Sequence, residues 1–172
     1  CCVAILAGGR SRRMGTDKAC LDVSGKPLLA HLMHRLAPVA TSFVIAKGDS
    51  ERELPELPYD AALLVDPASD QGPLAGLSAL AEGIPSEHEF VFVCSCDMPL
   101  IRAHNVLVLR DSIGIADVAI PMMNDRQHVL GCLYRRSALQ SAKTAFEAGQ
   151  RRVRDFVSTL RVATLSEDEL LA

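Results

Sequence analysis

Val3-Ala4-Ile5-Leu6-Ala7-Gly8-Gly9 decides the fold. An unbroken apolar run reads as a strand buried on both faces, and the glycine pair ends it abruptly. Such a strand belongs inside a parallel sheet that helices cover on both sides. Farther along, Phe43-Val44-Ile45-Ala46, Ala62-Leu63-Leu64-Val65, Phe90-Val91-Phe92-Val93-Cys94, Val118-Ala119-Ile120 and Leu130 to Tyr134 repeat the pattern. Helical spacing separates them. Pro27 opens one helix carrying Leu28, Leu29, Leu32, Leu36 and Val39, and Gly72-Pro73 opens another carrying Leu74, Leu77, Leu80 and Ala81. Further helices are expected near 103–111, over 137–148 and over 152–159. The alternation predicts an α/β chain with a mostly parallel, Rossmann-like, doubly wound sheet. Residues 1–172 form one domain, without internal repeat or linker.

At this length a fold buries roughly 70% of the surface its unfolded chain exposes, so no disulfide or metal staple is required. Aromatic residues are scarce, with five Phe, two Tyr and no Trp, so Leu, Val, Ile and Ala must build the core. A formal charge of −3 argues against a nucleic-acid binder. Six cysteines stand at 1, 2, 20, 94, 96 and 132, without C-x-x-C or zinc-ligand spacing. Cys94 and Cys96 alternate along a strand and so face one side, as small buried hydrophobes rather than a redox pair. No apolar run reaches the roughly 18 residues of a membrane span and no signal peptide is recognisable, which points to a cytoplasmic protein.

Ligands of doubly wound sheets sit outside the carboxyl ends of the strands. Three segments of unusual composition lie there: 8–18, 66–76 and 97–99. In the first, Gly8 and Gly9 let backbone approach a ligand and offer successive amides to an anion. Arg10, Arg12, Arg13 and Lys18 face a single acid, Asp17, so the loop is a cationic island in an acidic chain. Guanidinium and ammonium groups suit a polyphosphate. The spacing matches neither the P-loop nor the dinucleotide fingerprint, and Gly25-Lys26-Pro27 follows closely. A solvated basic loop is the bland alternative.

Asp97 and Asp66 each follow a strand directly. A lone aspartate there is often a cap or turn former. Beside a phosphate loop, Asp97 becomes a candidate ligand for Mg²⁺, which binds through one or two carboxylates plus substrate phosphates. Gly76, inside a helix, costs stability relative to alanine. Close packing and close approach to a ligand explain it equally well.

Taken together, Leu6-Ala-Gly-Gly-Arg-Ser-Arg-Arg-Met-Gly-Thr-Asp-Lys18, Asp66 through Leu77, Cys96-Asp97-Met98-Pro99 and Ala148-Gly-Gln-Arg-Arg-Val153 resemble the molybdenum cofactor guanylyltransferases. The resemblance spans nearly the whole chain and implies a sheet of the nucleotidyltransferase type. It implies GTP as substrate and Mg²⁺ as cofactor, with molybdopterin or its molybdenum-bearing form as acceptor. Leu6, Ala7 and Gly8 would lie near base or ribose, and Gly9, Ser11, Arg12, Gly15 and Lys18 around the phosphates. Asp66 would contact the nucleotide and Asp97 the metal; Lys18, Asp97 and Arg13 are the catalytic candidates. Gly76, Gln127, His128, Arg151 and Arg152 are the acceptor candidates, with Tyr134 nearby. Proteins that deliver the cofactor or mature molybdoenzymes are further implied partners, and neither nucleic acid nor membrane is among them.

Two departures accompany the resemblance. Members commonly carry Asn after the second strand, where this chain has Ala46-Lys47-Gly48. The chain begins at Cys1 rather than Met, and it stops at Ala172 without the family's N-x-N-T-P-E-D-L-like tail. That implies either a trimmed sequence or a different acceptor site. The competing functions are a cytidylyl- or sugar-phosphate nucleotidyltransferase, a non-catalytic nucleotide-binding protein and a ligand-free fold.

Overall fold

The computed structural model describes residues 1–8, 17–65, 71–124 and 126–171. The first strand, β1 (Cys2–Leu6), is buried throughout, as an apolar run without a solvent face must be. A hairpin of β2 (Asp22–Val23) and β3 (Lys26–Pro27) follows, then α1 (Leu28–Leu36), β4 (Ser42–Gly48), β5 (Ala61–Val65) and α2 (Pro73–Gly83). Next come β6 (Phe90–Ser95), α3 (Ala103–Ser112), β7 (Val118–Met123), β8 (Arg126–Gln127) and β9 (Cys132–Arg135). The chain finishes with α4 (Arg136–Glu147), α5 (Val153–Val157), β10 (Val162–Leu165) and α6 (Glu167–Leu171).

The main sheet has the order β10-β7-β9-β6-β1-β4-β5, with β8 paired to β7. β1 lies between β4 and β6 and is parallel to both, while β9 runs antiparallel to β6 and to β7. The sheet is therefore mixed, though mostly parallel, and β6 and β7 share one direction.

Alternation along β1 divides the core. Cys2, Ala4 and Leu6 join Leu74, Leu77, Leu80, Leu139 and Phe156 under α2, α4 and α5. Val3, Ile5 and Ala7 join Leu29, Leu32, Leu36, Val106, Leu109 and Leu170 under α1, α3 and α6. The fold is a three-layer α/β sandwich, doubly wound as expected. Cys94 and Cys96 both fall in the second cluster and are buried, in keeping with their two-residue spacing.

Several boundaries differ from expectation. α1 stops at Leu36, short of Val39. Pro38 has no amide to continue the ladder, and Val39 N–H bonds Leu36 O at 3.1 Å instead. The chain after Leu160, for which no element is expected, adds β10 parallel to β7 and then α6. Gly25 belongs to the β2–β3 turn, in which Ser24 and Gly25 both have positive φ, 57° and 80°. A two-residue hairpin demands that conformation, so the Gly-Lys-Pro sequence has a local explanation. Among the described residues no helix is long and apolar enough to cross a membrane.

Candidate active site

The carboxyl edge of the sheet opens where β1 ends. Ala7 and Gly8 amides both donate to Ala46 O, at 2.9 and 3.0 Å. The expectation that Gly8 presents its N–H to an anion is therefore corrected: neighbouring β4 takes it. Leu6 O accepts from Cys96 N–H at 3.1 Å, which ties the end of β1 to the turn carrying Asp97. Leu6 is 7% exposed. A Cβ on Gly76 would stand 3.0 Å from its Cδ2, and Gly76 itself is buried. Glycine in a helix costs about 1 kcal/mol relative to alanine, and here the absent methyl leaves room for Leu6. Packing, the bland one of its two explanations, thus has a direct contact behind it, and Gly76 acts on the edge by letting Leu6 sit there.

The chain comes back to this edge at Asp17. The Asp17 carboxylate accepts from Ala19 N–H at 2.9 Å and caps a 3₁₀ turn over Lys18–Cys20. That turn sets the base of Lys18, whose Nζ donates to Asp97 Oδ2 at 2.9 Å. The two side chains are 40% and 47% exposed. Two expected functional residues, 79 positions apart, thus meet in solvent reach. Partial burial pushes the Asp97 carboxyl up, but hydrogen bonds from Lys18 and Ser95 and the Lys18 charge outweigh it and hold it below the usual range. The same hydrogen bond and charge raise Lys18. Both are ionised at neutral pH. Beside them the buried Cys96 thiol is pushed up to about 11, first by burial and then by the Asp97 charge, so it stays protonated and inert.

Arg52 escaped the sequence analysis. Its guanidinium grips both oxygens of Asp17, with Nε 2.6 Å from Oδ2. It also donates to Ala7 O, and to Lys47 O at 3.3 Å. Only 13% of its side chain is exposed. Lys47 spends its ammonium on Ser50 O at 2.6 Å and Arg52 O at 3.1 Å. It shapes the turn that presents Arg52. The sequence signal was faint: one arginine in a polar stretch that no periodicity singles out.

The acceptor candidates reach the same edge from the far half of the sheet. Gln127 sits in β8, and His128 is exposed just after it, its amide bonded to Pro121 O at 2.9 Å. The segment returns beside the Asp97 turn at Gly131, where a Cβ would come 2.8 Å from Met98 Cε. Tyr134 is corrected. It is fully buried, and its hydroxyl donates to Val129 O at 3.2 Å, so it serves the core. Arg151 is exposed, but its guanidinium stacks 4.4 Å over the Phe146 ring and donates to Phe146 O and Gln150 O. It caps the carboxyl end of α4, a favourable place for a cation. Arg152 is exposed at the start of α5. The Arg151 carbonyl approaches Gly72, where a Cβ would meet it at 3.1 Å, so this segment adjoins the start of α2. Gly9, Ser11, Arg12, Arg13, Gly15 and Asp66 lie outside the described residues.

A family model described as the MobA-like NTP transferase domain matches residues 3–164. The chain belongs to this family. A molybdenum cofactor guanylyltransferase of Burkholderia ambifaria is 34% identical over 162 residues, covering 87% of this chain and 78% of the relative. A probable molybdenum cofactor guanylyltransferase of Carboxydothermus hydrogenoformans is 28% identical over 168 residues, covering 98% and 82%. Among solved structures, molybdopterin-guanine dinucleotide biosynthesis protein A of Archaeoglobus fulgidus superposes with a TM-score of 0.77 at 23% identity, covering 99% and 85%. A 2-C-methyl-D-erythritol 4-phosphate cytidylyltransferase of Thermus thermophilus gives 0.72 at 19%, covering 98% and 94%. At such identities these structures speak to the fold, which they share.

Membership in the MobA-like family makes the chain a nucleotidyltransferase. The ion pair of Lys18 and Asp97 gains meaning from that. An exposed pair of this kind contributes roughly 0–1 kcal/mol, too little to explain two long-range elements converging on it. Both groups are cheap to part.

Proposed function

We propose that this chain transfers the guanosine monophosphate unit of GTP to the terminal phosphate of molybdopterin, with or without bound molybdenum. An oxygen of that phosphate forms a bond to the α-phosphorus of GTP. The bond from α-phosphorus to the bridging oxygen breaks, and pyrophosphate leaves. The observation that carries the reading is the Lys18–Asp97 contact of 2.9 Å at the ligand edge of the sheet, in a chain with guanylyltransferase relatives.

Phosphoryl-type transfer needs positioning and charge neutralisation more than a protein nucleophile. Lys18 neutralises phosphate oxygens once it leaves Asp97. Asp97 is the residue to hold Mg²⁺. Among the described residues no cluster of three or more His, Cys, Asp or Glu forms a self-contained metal site. A single ionised, half-exposed carboxylate suits a cation that takes most of its ligands from water and substrate phosphates. When bound, the cation would spread the negative charge of the reacting phosphates. Leu6, Ala7 and Gly8 form the floor beside base and ribose, and Arg13, Arg12, Ser11, Gly9, Gly15 and Asp66 complete the nucleotide side. Gln127, His128 and Arg152 meet the acceptor, with Arg151 shaping that segment through its cap on α4. All six thiols are free, which suits a reducing cytoplasm. A protein that delivers the molybdenum-bearing pterin, or matures the enzyme receiving the product, is the partner this reading implies.

The test is pyrophosphate release with each of the four ribonucleoside triphosphates, Mg²⁺ and freshly prepared molybdopterin. Release with GTP alone is expected. Release with CTP instead would keep the mechanism and overturn the base, and no release with any nucleotide would overturn the reading.

A further inference from the structure

Beyond the two groups proposed to face substrate, one part-buried guanidinium touches both feet of the glycine-basic loop, Ala7 and Asp17. The chain leaves the sheet at Ala7 and returns at Asp17. Arg52 donates to Ala7 O at the departure and grips the Asp17 carboxylate at the return. A third bond, 3.3 Å to Lys47 O, anchors the same guanidinium to the end of β4. Asp17 in turn caps the turn that starts at Lys18, so the position of Lys18 Nζ is set through Arg52.

We infer that Arg52 is a positioning residue for nucleotide binding, a clamp that fixes Asp17 relative to Ala7 and thereby aims Lys18. The inference rests on the reading of this edge as the triphosphate site. Three features favour a clamp over an ordinary structural salt bridge. The side chain is 13% exposed while Asp17 is 28% exposed, so the contact is sheltered from solvent and screening. The guanidinium fork engages both carboxylate oxygens, which fixes angle as well as distance. Its partners lie on three separate segments, 5, 35 and 45 residues away in sequence, all meeting at the loop's two feet. Lys47 adds a built support: its ammonium holds Ser50 O and Arg52 O, closing the turn from which Arg52 projects.

Lysine cannot reproduce the fork. Arg52→Lys therefore keeps a charge and most of the volume but loses the fixed span, and Arg52→Gln loses both charge and fork. Misplacing a binding group by about 1 Å is enough to cost on the order of 10²-fold. For Arg52→Lys we expect KM for GTP to rise about tenfold or more, with KM for molybdopterin within about twofold of wild type. Asp17→Asn should give the same pattern, and the double variant should be no worse than the more affected single, because both cut one clamp. Calorimetric binding of inorganic tripolyphosphate with Mg²⁺ supplies a readout independent of turnover: the variants should weaken it in parallel with KM for GTP. A wild-type protein that binds tripolyphosphate without using GTP would sink the guanylyl reading and leave the clamp testable by this arm. If Arg52→Lys, folded by its thermal transition, binds tripolyphosphate like wild type, the clamp is overturned. It is equally overturned if both KM values rise together with a fallen transition temperature, since a merely structural role predicts that.

Discussion

The two ends of the sheet use the same side chains for opposite purposes. At the amino edge, Asp117 accepts from the Arg161 amide and Nε, both at 3.0 Å, and from its NH2 at 2.7 Å. Arg135 beside it is occupied by Ala116 O, Gly114 O and Glu89. Carbonyls and a carboxylate hold Arg135, and Asp117 takes three bonds from Arg161, so these pairings close loops and lock β7 against β10. At the carboxyl edge, Arg52 spreads its bonds over Asp17, Ala7 O and Lys47 O, whereas among the described residues Lys18 bonds Asp97 through one contact and the two remain 40% and 47% exposed. A cation paired to an aspartate is held the more firmly the more bonds it makes, and on the proposed reading the carboxyl edge sets a staple and a working pair side by side.

The sharpest way to break this contrast is Asp97→Asn. It should lower kcat by about 10³-fold, in the range for removing one group that stabilises transferring charge, while the thermal transition stays near wild type. A variant that keeps its turnover would make Asp97 a staple after all. Next, Lys18→Ala should cost about 10²-fold in kcat/KM, with stability changed by less than about 1 kcal/mol because the exposed pair contributes little. Initial rates and urea midpoints on the same sample check both halves of that statement.

The amino edge should respond to pH instead. Hydrogen bonds from Arg161 hold the Asp117 carboxyl down at about 2, against the upward push of burial. That value is lower than the roughly 3.9 of an unfolded aspartate. The pair therefore stabilises fully above about pH 4 and loses its contribution as pH falls toward 2. Arg161→Gln should lower the urea midpoint at pH 6 and converge on wild type near pH 2, with turnover at neutral pH unaltered. A gap of constant size across that range would show that Asp117 does not owe its stability role to the pair. The smallest effect is expected at Gly76→Ala. The helix gains about 1 kcal/mol of propensity, and Leu6 must shift a few tenths of an ångström to admit a methyl 3.0 Å away. Stability should change by less than about 1 kcal/mol, and on the proposed placement of Leu6 at the nucleotide floor KM for GTP should rise modestly. Unaltered GTP kinetics would separate Leu6 packing from the site.

Much of the layout was readable from periodicity. β1, β4, β5 and β6 announce themselves as apolar runs, and α1 and α2 as leucines at helical spacing after Pro27 and Pro73. The direction of β9 was not readable, because an apolar run carries no polarity and its reversal depends on pairing with β6 and β7. β10 and α6 were passed over for a different reason. Val162–Leu165 is short and only partly buried along most of its length, and the helix signal after it was local: Ser166 and Glu169 form a capping box, with Ser166 N–H 2.7 Å from Glu169 Oε2. Of the candidate site, the meeting of Lys18 with Asp97 was foreshadowed because Asp97 directly follows β6 and Lys18 closes the glycine-basic segment after β1. Arg52 was not. Its meaning lies in the parallel register that sets Leu6 beside Ala46, and nothing within a window of sequence encodes that neighbour.

The reversed strand β9 has a consequence for how such enzymes diverge. Because it runs against β6 and β7, β8 (Arg126–Gln127) and the turn to Gly131 lead into it at the carboxyl edge without a crossover helix. Hairpin connections accept added residues at a cost that grows only with the logarithm of their length. Lengthening this one leaves the β4-β1-β6 register and the Arg52 clamp untouched. On the proposed reading the nucleotide side and the acceptor side thus rest on different parts of the sheet, and a grafted hairpin of new length is where a search for altered acceptor choice should begin.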